Sequence, residues 1–179
     1  MTEDEARAIR ESLAEYLDGA DPREAGFRRL AMRYQAVPVL PDWSGFIGLT
    51  ANSFNSVSLD PPMVLWSLDR KSSIAAAFMA AEHFAVHVLA SDQEQVSNQF
   101  AKRGVGRFAG LAVERGHGGV PLLAGCSARF ECRTSYRHDG GDHIIFVGEV
   151  VAFDSFGRAP LVFHGGNYGT GAMGPHNAH

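Results

Sequence analysis

The sequence predicts a mainly β protein: a closed antiparallel barrel with short inserted helices, preceded by an N-terminal helical extension. Three observations carry that expectation. From Val37 onward the chain runs in short apolar stretches broken by Gly, Pro and Asp, the texture of strands and turns. Only two short helical patterns interrupt seven such stretches, too few for alternating β-α units. Two long stretches, 126–137 and 143–153, flank "HDGGD", where Gly140 and Gly141 tolerate the positive φ that a hairpin turn demands.

The elements follow in order. Thr2 and Glu5 have the spacing of a capping box, and Ala6, Ile9, Leu13, Tyr16 and Leu17 mark one helical face after it. Gly19 stops that helix. In "DPREAGFRRLAMRYQAV" a second helix starts, with Asp21 as cap, Pro22 at the first helical position and Glu24 three residues after the cap. Strands are expected at 37–40, 45–51, 62–68, 84–90, 126–137, 143–153 and 160–164. "SSIAAAFMAAE" and "DQEQVSNQFAKRG" read as the inserted helices, the first beginning near Ser72 and the second capped by Asp92. Residues 1–26 form the helical extension, 27–171 the barrel domain, and 172–179 a Gly-rich flexible tail.

The chain has 179 residues, a net charge of -4, and 45% hydrophobic against 20% charged residues. That suits one soluble domain with a substantial core. It argues against nucleic acid or an anionic membrane as partner, since both require a dense basic patch. No apolar run reaches the roughly 18 residues of a membrane span, and the acidic, helical N-terminus does not read as a secretory signal. Cys126 and Cys132 on one strand would sit roughly 20 Å apart, whereas a bridge needs Cα atoms within about 7 Å. Buried, inert thiols in a reducing, cytoplasmic setting are expected.

Several constellations carry chemistry, each beside a plainer reading. "GTGAMG" (169–174) matches a dinucleotide fingerprint, but Pro175 follows at once where a helix should open, so no Rossmann unit is read; no Walker-type loop is present either. "TANSFNSVS" (50–58) holds small hydrogen-bonding groups and no cation. It reads either as a neutral cradle for a phosphate or a flat ring, or as an edge strand with a polar solvent face. In "WSLDRKSSIAAAF" a strand ends and a helix begins. Ser72, Ser73, Arg70 and Lys71 make either a phosphate cradle or an ordinary helix start. "NQFAKRGVGRFAG" sets Phe100, Lys102, Arg103 and Arg107 in and after a helix, as a basic loop over an anion or a solvated face. His143 follows the hairpin turn, where a His can relay a proton or bond a ligand, or simply bond Asp142 or solvent. His138, Asp139, Asp142 and His143 lack a metal-ligand spacing, and no metal is expected.

In this order, "GLTANSFNSVSLDPPMVLWSLDRKSS", "HFAVHVLASDQEQVSNQFAKRG", "RFAGL", "PLLAG", "HDGGDHIIFVGEV" and "PLVFHGGNYG" resemble the blocks of the flavin reductase family, the small reductase components of two-component flavin monooxygenases. The resemblance runs from about Phe27 to Gly171. It implies an FMN-binding split β-barrel and a homodimer with flavin near the subunit boundary. It places Thr50, Ala51, Asn52, Ser53 and Ser56 along the isoalloxazine and ribityl chain. Ser67, Leu68, Asp69, Ser72 and Ser73 then hold the ribityl and phosphate end. Phe100 and Arg107 close over the nucleotide part, His143 stands at the nicotinamide side, and Tyr168 approaches the same pocket. Two features depart from the family: "MRYQAVPVL" lacks its Thr-Gly-Val segment, and the N-terminal helix is longer.

The resemblance implies an NAD(P)H-dependent reductase of FMN or FAD, with NADH or NADPH as donor, that supplies reduced flavin to a monooxygenase component. His143 is the catalytic candidate. Two rivals stand beside it: a flavin-binding sensor or storage protein without turnover, and a scaffold barrel that ignores flavin.

Overall fold

A computed structural model describes residues 2–5, 7–8, 11, 33–42, 45–102, 104, 106–164 and 166–171. Residues 3–5, 7–8 and 11 are helical. The expected capping box is there: Glu5 N–H donates to Thr2 Oγ1 at 3.3 Å and Thr2 N–H to Glu5 Oε2 at 2.7 Å. The Thr2 N–H, then its hydroxyl, hold the Glu5 carboxyl below the usual carboxylate range. The rest of the first helical stripe, the second helix and the tail 172–179 lie outside the described residues.

Twelve strands follow among the described residues. The strands β1 (Arg33–Tyr34), β2 (Ala36–Asp42), β3 (Gly45–Gly48), β4 (Asn55–Leu59) and β5 (Pro62–Asp69) precede helix α1 (Ala75–Ala80). Next come β6 (His83–Val88), helix α2 (Glu94–Ala101), β7 (Val113–Arg115), a 3₁₀ turn (His117–Gly119) and β8 (Pro121–Leu123). The chain ends with β9 (Ala128–Gly140), β10 (His143–Ser155), β11 (Leu161–His164) and β12 (Asn167–Thr170). All seven expected strands and both inserted helices are present. The five additional strands are short, and β4 is a mostly exposed polar run whose pattern carries little apolar alternation.

The main sheet has the order β3-β2-β6-β9-β10-β5-β4, with every pairing antiparallel. Its hydrogen bonding ends at β3 and β4, so the architecture is mainly β but the expected closure into a barrel is not seen among the described residues. A second sheet, β1-β11-β12, and the pair β7-β8 flank it.

Alternation explains which face is buried. In β5, Val64, Trp66 and Leu68 point into the core while Met63, Leu65 and Ser67 face the other way. The core holds Trp66 against Phe146, stacked at 4.9 Å and 16°, with Phe78 edge-on at 4.8 Å. The strand β6 is buried from Phe84 to Val88 because a second cluster covers its opposite face, with Val37, Val39, Leu89, Phe100, Val120, Leu122 and Leu161. Both cysteines are free and buried. Burial pushes the Cys126 thiol up to about 11 and the Cys132 thiol higher still.

Three local details differ from expectation. The helix α1 starts at Ala75 rather than near Ser72, capped by Ile74 without a side-chain bond, because Ser72 is held in a turn by its N–H to Asp69 O at 3.0 Å. Gln93, not Asp92, takes the cap position of α2; the Asp92 carboxylate pairs instead with Arg158 at 2.5 Å. The hairpin turn is two residues, Gly141 and Asp142, and only Gly141 of the "HDGGD" pair has positive φ, +73°. Glycine at the first central position is the II′ pattern that matches strand twist.

Candidate functional site

The polar segment after β3, residues 50–58, forms a lip that is built into three neighbours at once. Ala51 exchanges backbone bonds with Ala36 at 2.8 and 2.9 Å, which extends β2. Thr50 Oγ1 donates to Ser97 O at 2.6 Å, and Thr50 N–H reaches Phe100 O at 3.4 Å; both acceptors are in α2. Ser53 Oγ accepts the Ser67 N–H at 2.8 Å and donates to Ser67 O at 3.2 Å. That hydroxyl replaces the ladder partner that β5 lacks at Ser67 on the side of the lip. Ser53→Ala leaves the Ser67 N–H without its partner, and is expected to cost about 1–3 kcal/mol and to weaken ligand binding. Denaturant midpoints and a ligand titration of the variant check both.

The turn after β5 is fastened to the hairpin tip. Asp69 Oδ1 accepts the Lys71 N–H at 2.7 Å. Arg70 N–H donates to Asp142 O at 3.0 Å, its Nε to Gly141 O at 2.9 Å, and its guanidinium pairs with Asp139. Arg70 is thus committed to the β9–β10 turn. The register sets His143 directly opposite Asp69. His143 Nδ1 lies 2.7 Å from Asp142 Oδ1 and its side chain is half-exposed. That hydrogen bond, and then the imidazole's charge, hold the Asp142 carboxyl below its usual range.

The structure therefore joins the 50–53 segment to Ser67 through Ser53, and sets Asp69, whose carbonyl holds the Ser72 N–H, opposite His143. Leu68 faces inward and is buried. Ser56, on β4, pairs across to Val64. Phe100 is fully buried, with its ring edge-on to Phe108 at 4.9 Å, so it packs under Phe108 rather than facing an open pocket. The Arg107 guanidinium donates to Lys102 O at 2.9 Å and to Gly48 O. Desolvation lowers its pKa. Tyr168 directs its hydroxyl at Ser97 Oγ, 3.0 Å, and Asn98 Oδ1, 3.1 Å.

Thr50 and Ser53 spend their hydroxyls on the fold. The Asn52 amide and the Ser56 and Ser73 side chains face solvent, and so do Lys71, two residues before Ser73, and Lys102 at the end of α2. The neutral Asn52 and Ser56 suit the polar edge of a ring and its hydroxylated chain, while Ser73, with Lys71 two residues away, suits an anionic group. Sequence reasoning missed Ser97 and Gln35 as builders of this site. One signal was available: Ser97 is a polar residue three positions before Phe100, on the apolar face of its helix.

A cavity of about 660 Å³ lies elsewhere, beside the N-terminal helix, and Glu5, His83, His117, Arg133, Glu149 and Phe153 are among its lining residues. None of the expected site residues lines it. Its charges are largely paired, His117 with Glu131 at 2.8 Å and Arg133 with Glu149 at 2.7 Å. The lip, not this cavity, has the open neutral donors.

Comparison with known proteins decides the family. Residues 35–172 match the flavin reductase like domain. The chain belongs to the flavin reductase family. It is 50% identical over 125 residues to the NADH-dependent FMN reductase SmoA of Agrobacterium fabrum, which covers 70% of this chain and 71% of that protein. It is 45% identical over 126 residues to the reductase component of the flavin-dependent trigonelline monooxygenase of Acinetobacter baylyi, covering 70% of this chain but 41% of that one. Among solved structures, the NADH:FAD oxidoreductase of Streptomyces globisporus, in complex with NAD and FAD fragments, superposes with a TM-score of 0.75 at 33% identity. The match covers 89% of this chain and 98% of the other. The styrene monooxygenase flavin reductase of Pseudomonas putida gives 0.72 at 30% identity, covering 83% and 98%. For this flavin reductase family member, the matched span includes the whole lip, both inserted helices and the hairpin that carries His143.

Proposed function

We propose that this chain is an NAD(P)H:flavin oxidoreductase on a split β-barrel, reducing FMN or FAD and supplying the reduced flavin to a monooxygenase component. The observation that carries the reading is the lip itself: a neutral, partly exposed hydrogen-bonding segment locked to β5 and α2, in a chain of the flavin reductase family. When bound, flavin supplies the hydride-accepting centre toward nicotinamide. The protein's part is to bind and align two flat rings, which requires no strong acid or base. Asn52 and Ser56 serve the ring and ribityl side, with Thr50, Ala51 and Ser53 holding the backbone close. Ser67, Leu68 and Asp69 shape the strand end, and Ser72 and Ser73 face the phosphate. Arg107 and Phe100 set the loop that covers the nucleotide, and His143 orients the nicotinamide.

The direct test is NADH consumption by purified protein with added FMN or FAD, alongside the flavin absorption band. Turnover and a perturbed band are expected. A perturbed band without turnover would mean a flavin-binding protein that is not an enzyme, and the absence of both would overturn the reading altogether. His143→Ala is expected to lower kcat/KM for NADH about tenfold, the scale of one lost hydrogen bond of about 1.4 kcal/mol. Unchanged kinetics would remove His143 from the site.

The same reading includes a homodimer. On the outer face of the main sheet, Leu65, Val147 and Tyr136 lie directly opposite one another across β5, β10 and β9. Ile145 adjoins them, and Tyr136 is 55% exposed. An apolar band of that kind is what a second copy would cover. Leu65→Arg is expected to convert the dimer to monomer in sedimentation; a wild type that sediments as a monomer would refute the dimer.

A further inference from the structure

A chain of hydrogen bonds runs from the last described strand to the polar lip. Tyr168, on β12, has its hydroxyl 3.0 Å from Ser97 Oγ. Ser97 is fully buried in the middle of α2. Its Oγ bonds Gln35 Oε1 at 3.3 Å, and its carbonyl accepts Thr50 Oγ1 at 2.6 Å. Gln35 is almost fully buried and cannot follow a moving partner. Its N–H is held by Leu161 O and its carbonyl by Leu89 N–H, each at 2.9 Å, which fixes it to β11 and to the end of β6. Thr50 opens the lip, and three residues on Ser53 locks it to β5. Ser97, held by Tyr168 and Gln35 through its hydroxyl, thus ties α2 to the lip through its carbonyl and Thr50.

We infer that Tyr168 is a positioning residue for flavin binding, acting through Ser97 on Thr50, and that its hydroxyl does not itself contact the ligand. The hydroxyl is already engaged by Ser97 and, at 3.1 Å, by Asn98 Oδ1. The ring packs edge-on against Phe163 at 5.1 Å, so Tyr168→Phe keeps the packing and removes only the polar link. The same observation applies from the other end. Thr50 bonds Ser97 through a side-chain hydroxyl, which Ser can reproduce and Val cannot, while its N–H keeps Phe100 O in every variant. This inference rests on the flavin reductase reading above and names the machinery that holds its site in place.

The experiment is a pair of double-mutant cycles read by flavin titration and by steady-state NADH oxidation. Tyr168→Phe is expected to weaken FMN or FAD about three- to tenfold, with the loss falling on KM for flavin more than on kcat. In a Ser97→Ala or Thr50→Val background the same change should add little, because the link is already cut. Thr50→Ser should restore binding relative to Thr50→Val. If Tyr168→Phe costs the same factor in all backgrounds, the hydroxyl contacts flavin directly and the inference is wrong; if it costs nothing, the link is idle and the inference is equally wrong. Should Ser97→Ala fail to fold, the Thr50 cycle decides alone. Failure of the underlying reading looks different, since the wild type itself would then neither bind flavin nor consume NADH.

Discussion

Acidification from pH 6.5 towards pH 3 is expected to remove about 4 kcal/mol of folding stability through one side chain, His87. The ring has no exposed surface. The Leu123 N–H donates to its Nε2 at 3.1 Å, which leaves the proton on Nδ1, 3.3 Å from Val37 O. Both ring nitrogens are satisfied only when the imidazole is neutral. Burial pushes its pKa from 6.5 down to about 3; the Val37 carbonyl opposes this and the Arg129 charge adds to it. The sign follows from proton binding. In the unfolded chain His87 takes up a proton near pH 6.5, whereas the folded protein resists until about pH 3. Between those values the unfolded state holds more protons, so the stabilisation is complete above pH 6.5 and is lost as pH falls. Asp142 and Glu5, whose carboxyls are depressed, act in the same direction at lower pH, but both are fully exposed. Denaturant midpoints at pH 7, 5.5 and 4 read the slope directly. His87→Gln can still accept from Leu123 and donate to Val37. It should lower stability at pH 7 and flatten the acid slope; a wild-type midpoint constant across that range would overturn the argument.

Trp66→Ala is expected to cost about 3–5 kcal/mol, lowering Tm by roughly 10 °C for a chain of this size. The indole is fully buried and lies against Phe146, Phe78 and Phe84, with centroids at 4.9, 4.8 and 6.1 Å. Truncation leaves a cavity that three large rings cannot close. Trp66→Phe separates packing from polarity. The indole N–H is buried without a hydrogen-bond partner, so deleting it relieves a desolvation cost and offsets part of the lost volume. A cost below about 2 kcal/mol is expected for that change. Trp66 directly precedes Ser67, so the alanine variant should also weaken flavin binding by loosening the strand that Ser53 grips. Thermal unfolding followed by tryptophan fluorescence is unsuited here; circular dichroism and flavin titration give both readings.

Much of the fold was legible because strand alternation and turn chemistry are local. The 62–68 stretch reads as a strand, and β5 forms there with Val64, Trp66 and Leu68 on its packed face. The Thr2–Glu5 spacing predicts two reciprocal bonds, and both form. The strand β4 was not legible, since Asn55, Ser56 and Ser58 look the same in an edge strand as in a loop. The start of α1 was misplaced for a related reason. Ser72 is as good a turn residue as a helix cap, and the Asp69 carbonyl took it for the turn.

Within the candidate site, the sequence alone determined the chemistry: which residues carry neutral donors, where the glycine turn puts His143, and to which family the ordered blocks belong. Only the tertiary structure decided which of those groups remain available. Thr50, Ser53, Arg70, Arg107 and Tyr168 all read as ligand contacts by type. Each spends polar atoms on carbonyls, amides or side chains brought from 14 to 71 positions away. The reason is physical: a hydrogen bond is claimed by whichever partner the packed chain delivers within reach, and that delivery depends on long-range contacts rather than on neighbours in sequence.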